Sequence, residues 1–174
     1  RWRGAQPKSS GATHRKQRLV EMDSELKDAL GARFDRLKAG EDSWHALADT
    51  GVLGLPFSET HGGLGLPPRD GFAVLEALGP RAIALPYLEC VLLAGTLLDR
   101  AGEAAEHWLP RVAAGEMKLA FASIDHREPA RAKADPVGWR LSGGKLLAIG
   151  ATEADAVIVT ADTHGEPAAF LIPR

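Results

Sequence analysis

The chain has 174 residues, 45% of them hydrophobic, enough for one sizeable core or two small ones. Its 21 basic residues are unevenly spread: Arg1, Arg3, Lys8, Arg15, Lys16 and Arg18 precede the first acid, which leaves 15 basic against 23 acidic residues in the remainder, a net −8 that repels nucleic acid. No apolar run approaches the roughly 18 residues needed to cross a bilayer, so no membrane insertion is expected, and the single cysteine, Cys90, excludes an internal disulfide and points to a reducing compartment, with the cytoplasm as the expected location.

The acid-free start has three readings: a disordered tail, an Arg-rich targeting segment, or residues ahead of the native start, since the first methionine is Met22. Residues 1–21 are therefore set apart as a basic tail or non-native leader. From Asp23 onward, Leu26, Leu30, Phe34 and Leu37 recur at spacings of four, four and three, the stripe of an amphipathic helix that Gly40 closes. Asp42 or Ser43 is placed to cap a short helix holding Trp44, Leu47 and Ala48, with Gly51 at its end. A corner follows, Leu53-Gly-Leu-Pro-Phe-Ser-Glu-Thr-His-Gly-Gly-Leu-Gly-Leu66. Its glycines suit close approach and positive φ.

Pro67 and Pro68 suit the first turn of a third helix with an apolar face of Phe72, Leu75 and Leu78. Pro86 opens a fourth through Leu88, Val91, Leu92, Gly95 and Leu98, in which Cys90 reads as a small buried residue. Glu103 and Glu106 sit well for the dipole of a fifth, which buries Trp108, Leu109 and Val112 and ends at Gly115.

At Met117 the period changes. Lys118–Ile124 alternates as a strand, and Asp125–Asp135 reads as a polar loop. Trp139–Leu141 and Lys145–Ile149 read as a hairpin across Ser142-Gly143-Gly144. Ala156–Ala161 and Ala168–Ile172 complete four short strands. The expected fold is α+β: a helical subdomain of about five helices over residues 22–116, then a small antiparallel, barrel-like β subdomain over 117–174.

Several chemistries are excluded. Gly62-Gly63-Leu64-Gly65 follows no strand and lacks the dinucleotide spacing, and Gly143-Gly144-Lys145 lacks the upstream glycine of a phosphate loop. The six histidines show no metal spacing. Ser123, Asp125 and His126 are neighbours on a strand, whose side chains alternate in direction, so they do not assemble a triad.

Three stretches together carry a family resemblance: the 53–66 corner; His107-Trp-Leu-Pro-Arg-Val-Ala-Ala-Gly-Glu116 running into Leu119-Ala-Phe-Ala122; and Gly138-Trp-Arg-Leu-Ser-Gly-Gly-Lys145 through Ala154-Asp155. In this order they resemble the front half of an acyl-CoA dehydrogenase, from about Asp23 to Pro173. The resemblance implies an FAD-dependent oxidoreductase of fatty acid or lipid metabolism. Its reaction is α,β-dehydrogenation of an acyl-CoA thioester, by proton abstraction and hydride transfer to flavin. It also implies homo- or hetero-oligomers with dehydrogenase subunits.

The flavin positions carry over to Ser123, Ile124 and Asp125 on the first strand and its loop, and to Leu147 and Ile149 after the hairpin. There the chain departs from the pattern. Leu147 stands where the family has an aromatic and Ile149 where it has a threonine. The family's Thr-Glu-Pro loop appears as Arg127-Glu128-Pro129-Ala130-Arg131, without the Gly-Ser-Asp that helps hold the acyl-CoA. The family's catalytic carboxylate comes from a C-terminal helical domain lying beyond Arg174, so the chain reads as an incomplete member and no catalytic or metal-binding residue is assigned. Two alternatives stand beside the dehydrogenase reading: a catalytically degenerate subunit that acts as an interaction partner, and a flavin-dependent monooxygenase of the same fold.

Overall fold

The computed structural model describes residues 24–37 and 40–174. The tail or leader expected over residues 1–21 lies outside them. Helix α1 (residues 24–34) turns Leu30 and Phe34 into the core, with Leu26 and Leu37 packed at its margin, as their spacing predicts. Helix α2 (Ser43–Ala48) is capped by Asp42, whose Oδ1 accepts from the backbone N–H of Trp44 at 2.8 Å and of His45 at 3.3 Å. The buried Trp44 indole then donates to the carbonyl of Gly115 at 3.0 Å, tying the start of the helical block to its end.

The 53–66 corner is built from two 3-10 turns, Val52–Gly54 and Glu59–His61. Its glycines serve two separate purposes. Gly62 and Gly65 take φ of 81° and 60°, where a side chain is strained. Gly63 is needed for space: a Cβ there would stand 2.1 Å from the carbonyl oxygen of Phe57 and 2.5 Å from that of Gly54. Both oxygens hold the corner, accepting from Gly65 N at 2.7 Å and Leu64 N at 3.1 Å.

After a 3-10 turn, Pro68–Gly71, helix α3 (Phe72–Leu78) presents Ala73, Val74, Ala77 and Leu78 to the core. The expected face of Phe72, Leu75 and Leu78 is thus rotated: Phe72 is exposed, and two small alanines take the close-packed side. Helix α4 is π-wound over Leu88–Gly95 and closes with one α turn, Thr96–Leu98. The wider winding moves Leu88 and Leu93 outward while Cys90, Val91, Leu92 and Ala94 stay inside. Helix α5 (Glu103–Ala113) buries Ala105, Leu109 and Val112; Trp108 is only partly covered.

Seven strands follow: β1 (Leu119–Ala122), β2 (Ile124–Asp125), β3 (Arg131–Asp135), β4 (Gly138–Ser142), β5 (Lys145–Leu146), β6 (Ala156–Thr163) and β7 (Glu166–Pro173). Strand β6 is the centre. Along one edge it pairs antiparallel with β7 over its whole length. Its other edge is shared end to end: β1 pairs parallel with Ala156–Val159, and β3 pairs parallel at Asp162. The segment between β1 and β3 leaves the sheet, and its β2 forms a separate antiparallel pair with β5. The sheet is therefore mixed rather than wholly antiparallel.

Two local expectations are corrected. Residues 131–135 form strand β3 rather than loop, and the hairpin joins β4 to β3 rather than to the segment after Gly144. In Arg131-Ala-Lys-Ala-Asp135 the period of two is carried by alanines, which give too little hydropathy contrast to read as a strand. Ala132 is nonetheless buried, in a small cluster with Ala130 and Ala161. The main core is continuous across both blocks: Leu119, Ala156 and Ile158 belong to the same cluster as Leu53, Phe57, Val91 and Leu109. No described helix is long and apolar enough to cross a membrane.

Candidate functional site

The β2/β5 ladder projects the residues singled out by sequence. Ile124 and Leu146 are cross-strand partners, as are Asp125 and Lys145. Ile124, Leu146, Leu147 and Ile149 all expose large apolar side chains, Leu147 at 75%. Leu147 adopts φ 54°, an uncommon conformation for a leucine, and its carbonyl accepts from Ile149 N at 2.8 Å. Ser123 lies exposed beside them, its hydroxyl without a hydrogen-bond partner among the described residues. Four of the five predicted positions, Ser123, Ile124, Leu147 and Ile149, are thus exposed on or beside this one ladder.

The Asp125 carboxylate is engaged within the protein. Its Oδ1 accepts from Lys145 Nζ at 2.6 Å and from Ala130 N at 2.8 Å. The hydrogen bond from Lys145, and after it the one from the Ala130 amide, holds the carboxyl below the usual carboxylate range. Lys145 also donates to Thr160 Oγ1 on β6 at 3.1 Å, and its side chain is only 9% exposed. This lysine pins the projecting ladder to the central strand. Sequence reading missed the role of both Lys145 and Thr160. Lys145 stood in a quoted stretch, but a hairpin pairing with β4 hides its link to Asp125, and nothing marks Thr160 beforehand.

A second polar cluster sits at the corner. His61 Nδ1 lies 2.6 Å from Asp99 Oδ1 and 2.8 Å from Ser58 Oγ, and Ser58 N donates to Asp99 at 3.1 Å. Serine and aspartate address the same ring nitrogen, so the imidazole has no second nitrogen aimed at the hydroxyl and no nucleophile is activated. The cluster fastens the corner to the turn after α4. Partial burial pushes the Asp99 carboxyl up, but hydrogen bonds from His61 and Ser58 outweigh it and hold the group below the usual range. His61 is buried, in keeping with a packing role. No group of metal-ligating side chains forms among the described residues.

With this geometry in place, residues 21–116 match the family model described as the acyl-CoA dehydrogenase N-terminal domain. The chain belongs to the acyl-CoA dehydrogenase family. The acyl-CoA dehydrogenase FadE27 of Mycobacterium tuberculosis (strain H37Rv) is 35% identical over 149 residues, covering 83% of this chain and 39% of the relative. Among solved structures, the ChsE4-ChsE5 complex of Mycobacterium tuberculosis superposes with a TM-score of 0.77 at 29% identity, over 88% of this chain and 47% of that one. The steroid acyl-CoA dehydrogenase Tcur3481-Tcur3483 gives 0.75 at 27% identity, over 89% and 48%. This acyl-CoA dehydrogenase chain spans less than half the length of those relatives.

Proposed function

We propose that the chain supplies the helical front and the flavin-facing wall of an FAD-dependent acyl-CoA dehydrogenase that desaturates an acyl-CoA thioester. The observation that carries this reading is the apolar surface at the β2/β5 ladder, where Ile124, Leu146, Leu147 and Ile149 expose their side chains within two short segments. Such surface gains about 25 cal/mol per Å² when covered. A flat ring system with apolar faces and a polar edge suits it, and the unengaged Ser123 hydroxyl offers the edge a hydrogen bond. The residues present therefore fit the group.

Bound FAD supplies the hydride acceptor of the reaction. The part played by this chain is to bind and orient: Leu147 and Ile149 keep water from one face, and Lys145 holds the ladder in place through Asp125. The base that removes the substrate proton belongs, on this reading, to the family's C-terminal helical domain, with residues 22–116 and 117–174 as the first two domains of the assembled enzyme. One similar structure is the ChsE4-ChsE5 complex, which supports hetero-oligomeric pairing with a second dehydrogenase subunit. A cytoplasmic setting accords with the lone, buried Cys90.

A second reading is a subunit that has lost its flavin and serves as an interaction partner. The side chains of Leu147 and Ile149 offer no hydrogen bond, and the Asp125 carboxylate is already engaged. The test is to purify the chain alone and together with a full-length homologue. A yellow preparation whose visible flavin absorbance tracks the chain supports the first reading. A colourless chain that joins the homologue without altering its flavin content would sink it in favour of the second.

A further inference from the structure

Asp70 is a buried acid that the described residues leave half served. It lies in the 3-10 turn ahead of α3 and is 4% exposed. Arg69 Nε approaches its Oδ1 at 3.4 Å, from a side chain that is itself 64% exposed. Its Oδ2 is buried and has no hydrogen-bond partner among the described residues. The packing shows why none arrives from α4. A Cβ on the next residue, Gly71, would stand 2.6 Å from Leu92 Cδ2 and 3.1 Å from the Tyr87 hydroxyl, so α4 closes that side. The Tyr87 hydroxyl is committed elsewhere, donating to the Val52 carbonyl at 3.2 Å. A buried carboxylate oxygen without a donor is costly and calls for one. The same end of α3 is apolar outside, where Phe72 is exposed.

The course of the chain points a cation at this acid. Lys27 on α1 meets Glu76 on α3 at 3.6 Å. Further along, Asp35 at the end of α1 meets Arg81, in the 3-10 turn that continues α3, at 2.7 Å. The earlier residue of one element meets the earlier residue of the other, so the two run parallel. The chain ahead of Ser24 is therefore aimed back along α3 toward Asp70. From Glu76 to Asp70 is about 9–12 Å of helix. From Ser24 back to Arg18 the chain spans at most ~20 Å, which covers that distance. Residues 15–20, outside the described residues, read Arg-Lys-Gln-Arg-Leu-Val, cations followed by an apolar pair. No acid precedes Arg18, so the sign of this stretch is complementary to Asp70. Arginine also suits a buried partner, because its planar fork meets a carboxylate with two donors.

We propose that the basic segment ahead of α1 docks on the start of α3, with the Arg18 guanidinium paired to Asp70 and Leu19 and Val20 lying over Phe72. The segment is then a strap that closes the helical block, rather than a free tail or a leader. Burial makes the pair sensitive to either partner, since removing one strands the other charge. The proposal does not depend on the flavin reading.

The test is urea unfolding of the full chain as wild type, Arg18→Ser, Asp70→Asn and the double variant. Lys8→Ser, the same loss of charge earlier in the segment, is the control, and circular dichroism checks the fold. Each single variant at the pair should lower the folding equilibrium constant roughly tenfold or more, and the double variant should be no worse than Asp70→Asn. Limited trypsin digestion gives a second readout: cleavage after Arg18 should be about tenfold slower in wild type than in Asp70→Asn. If Asp70→Asn does not fold, Arg18→Ser against Lys8→Ser still decides. Equal stability of Arg18→Ser and Lys8→Ser overturns the proposal. So does an Asp70→Asn chain that is no less stable and is cut after Arg18 at the wild-type rate, which would assign the free oxygen to an ordered water. An effect found with Arg15→Ser or Lys16→Ser but not with Arg18→Ser also overturns the pairing.

Discussion

Replacing Gly63 by alanine tests the corner directly. The new methyl would have to sit 2.1 Å from the Phe57 oxygen and 2.5 Å from the Gly54 oxygen, both backbone atoms, so no side-chain rotation relieves it. The turn must open, and one or both of the hydrogen bonds to Gly65 N and Leu64 N must lengthen. Overpacking costs about 1–3 kcal/mol and each lost hydrogen bond about 1 kcal/mol, which together give roughly 2–5 kcal/mol. For a chain of this size that is a fall in Tm of about 10 °C. Gly65→Ala and Gly62→Ala are the internal controls. Nothing lies within 4 Å of a Cβ at Gly65, and only Pro110 Cα at 3.9 Å meets one at Gly62. Each should cost only the left-handed strain of about 1–2 kcal/mol. Thermal and urea unfolding of the three variants, followed by circular dichroism, decides the matter. If Gly63→Ala is no worse than Gly65→Ala, the claim that two different physical demands are met by adjacent glycines is wrong.

Three further outcomes follow from the same coordinates. Asp99 has a folded pKa below its ordinary value, so the stability it adds is present above about pH 4 and is lost as pH falls through the lowered value; Asp99→Asn should flatten that acid limb in urea melts measured across pH, and an unchanged limb would remove the role given to its bonds with His61 and Ser58. A Cβ at Gly95 would stand 2.4 Å from the Phe57 ring, so Gly95→Ala should cost about 1–3 kcal/mol; adding Phe57→Leu should recover part of it, read as a coupling of about 1 kcal/mol or more in a double-mutant cycle. Ile149→Thr restores a hydroxyl at the ladder and should tighten flavin binding by roughly two- to tenfold in fluorescence titration; no gain would count against Ile149 facing the ring.

The helical half was legible because burial follows period. The spacing of Leu30 and Phe34 and the Asp42 cap predict helices that form as expected. Where small residues pack, hydropathy points the wrong way: α3 buries Ala73 and Ala77 and exposes Phe72. The β half was legible in order but not in pairing. Long-range partners such as Lys145 with Asp125, and the end-to-end sharing of β6 by β1 and β3, depend on how the chain returns to itself, which local pattern does not encode. The candidate site shows the same split. The exposed positions Ser123, Ile124, Leu147 and Ile149 come from a motif with fixed spacing. The carboxylate of Asp125 turned out to serve the scaffold, because its partner sits 20 residues away on another strand.

The shared edge of β6 has a consequence for how this chain can change. Because β1 stops at Ala122 and the chain rejoins the same neighbour at Ala130, whose carbonyl accepts from Asp162 N at 2.7 Å, residues 123–129 make no backbone pairing with the central strand. Insertions or deletions there lengthen or shorten an excursion without sliding any side chain from one face of the sheet to the other. Ligand preference can diverge at this point while the supporting architecture stays fixed.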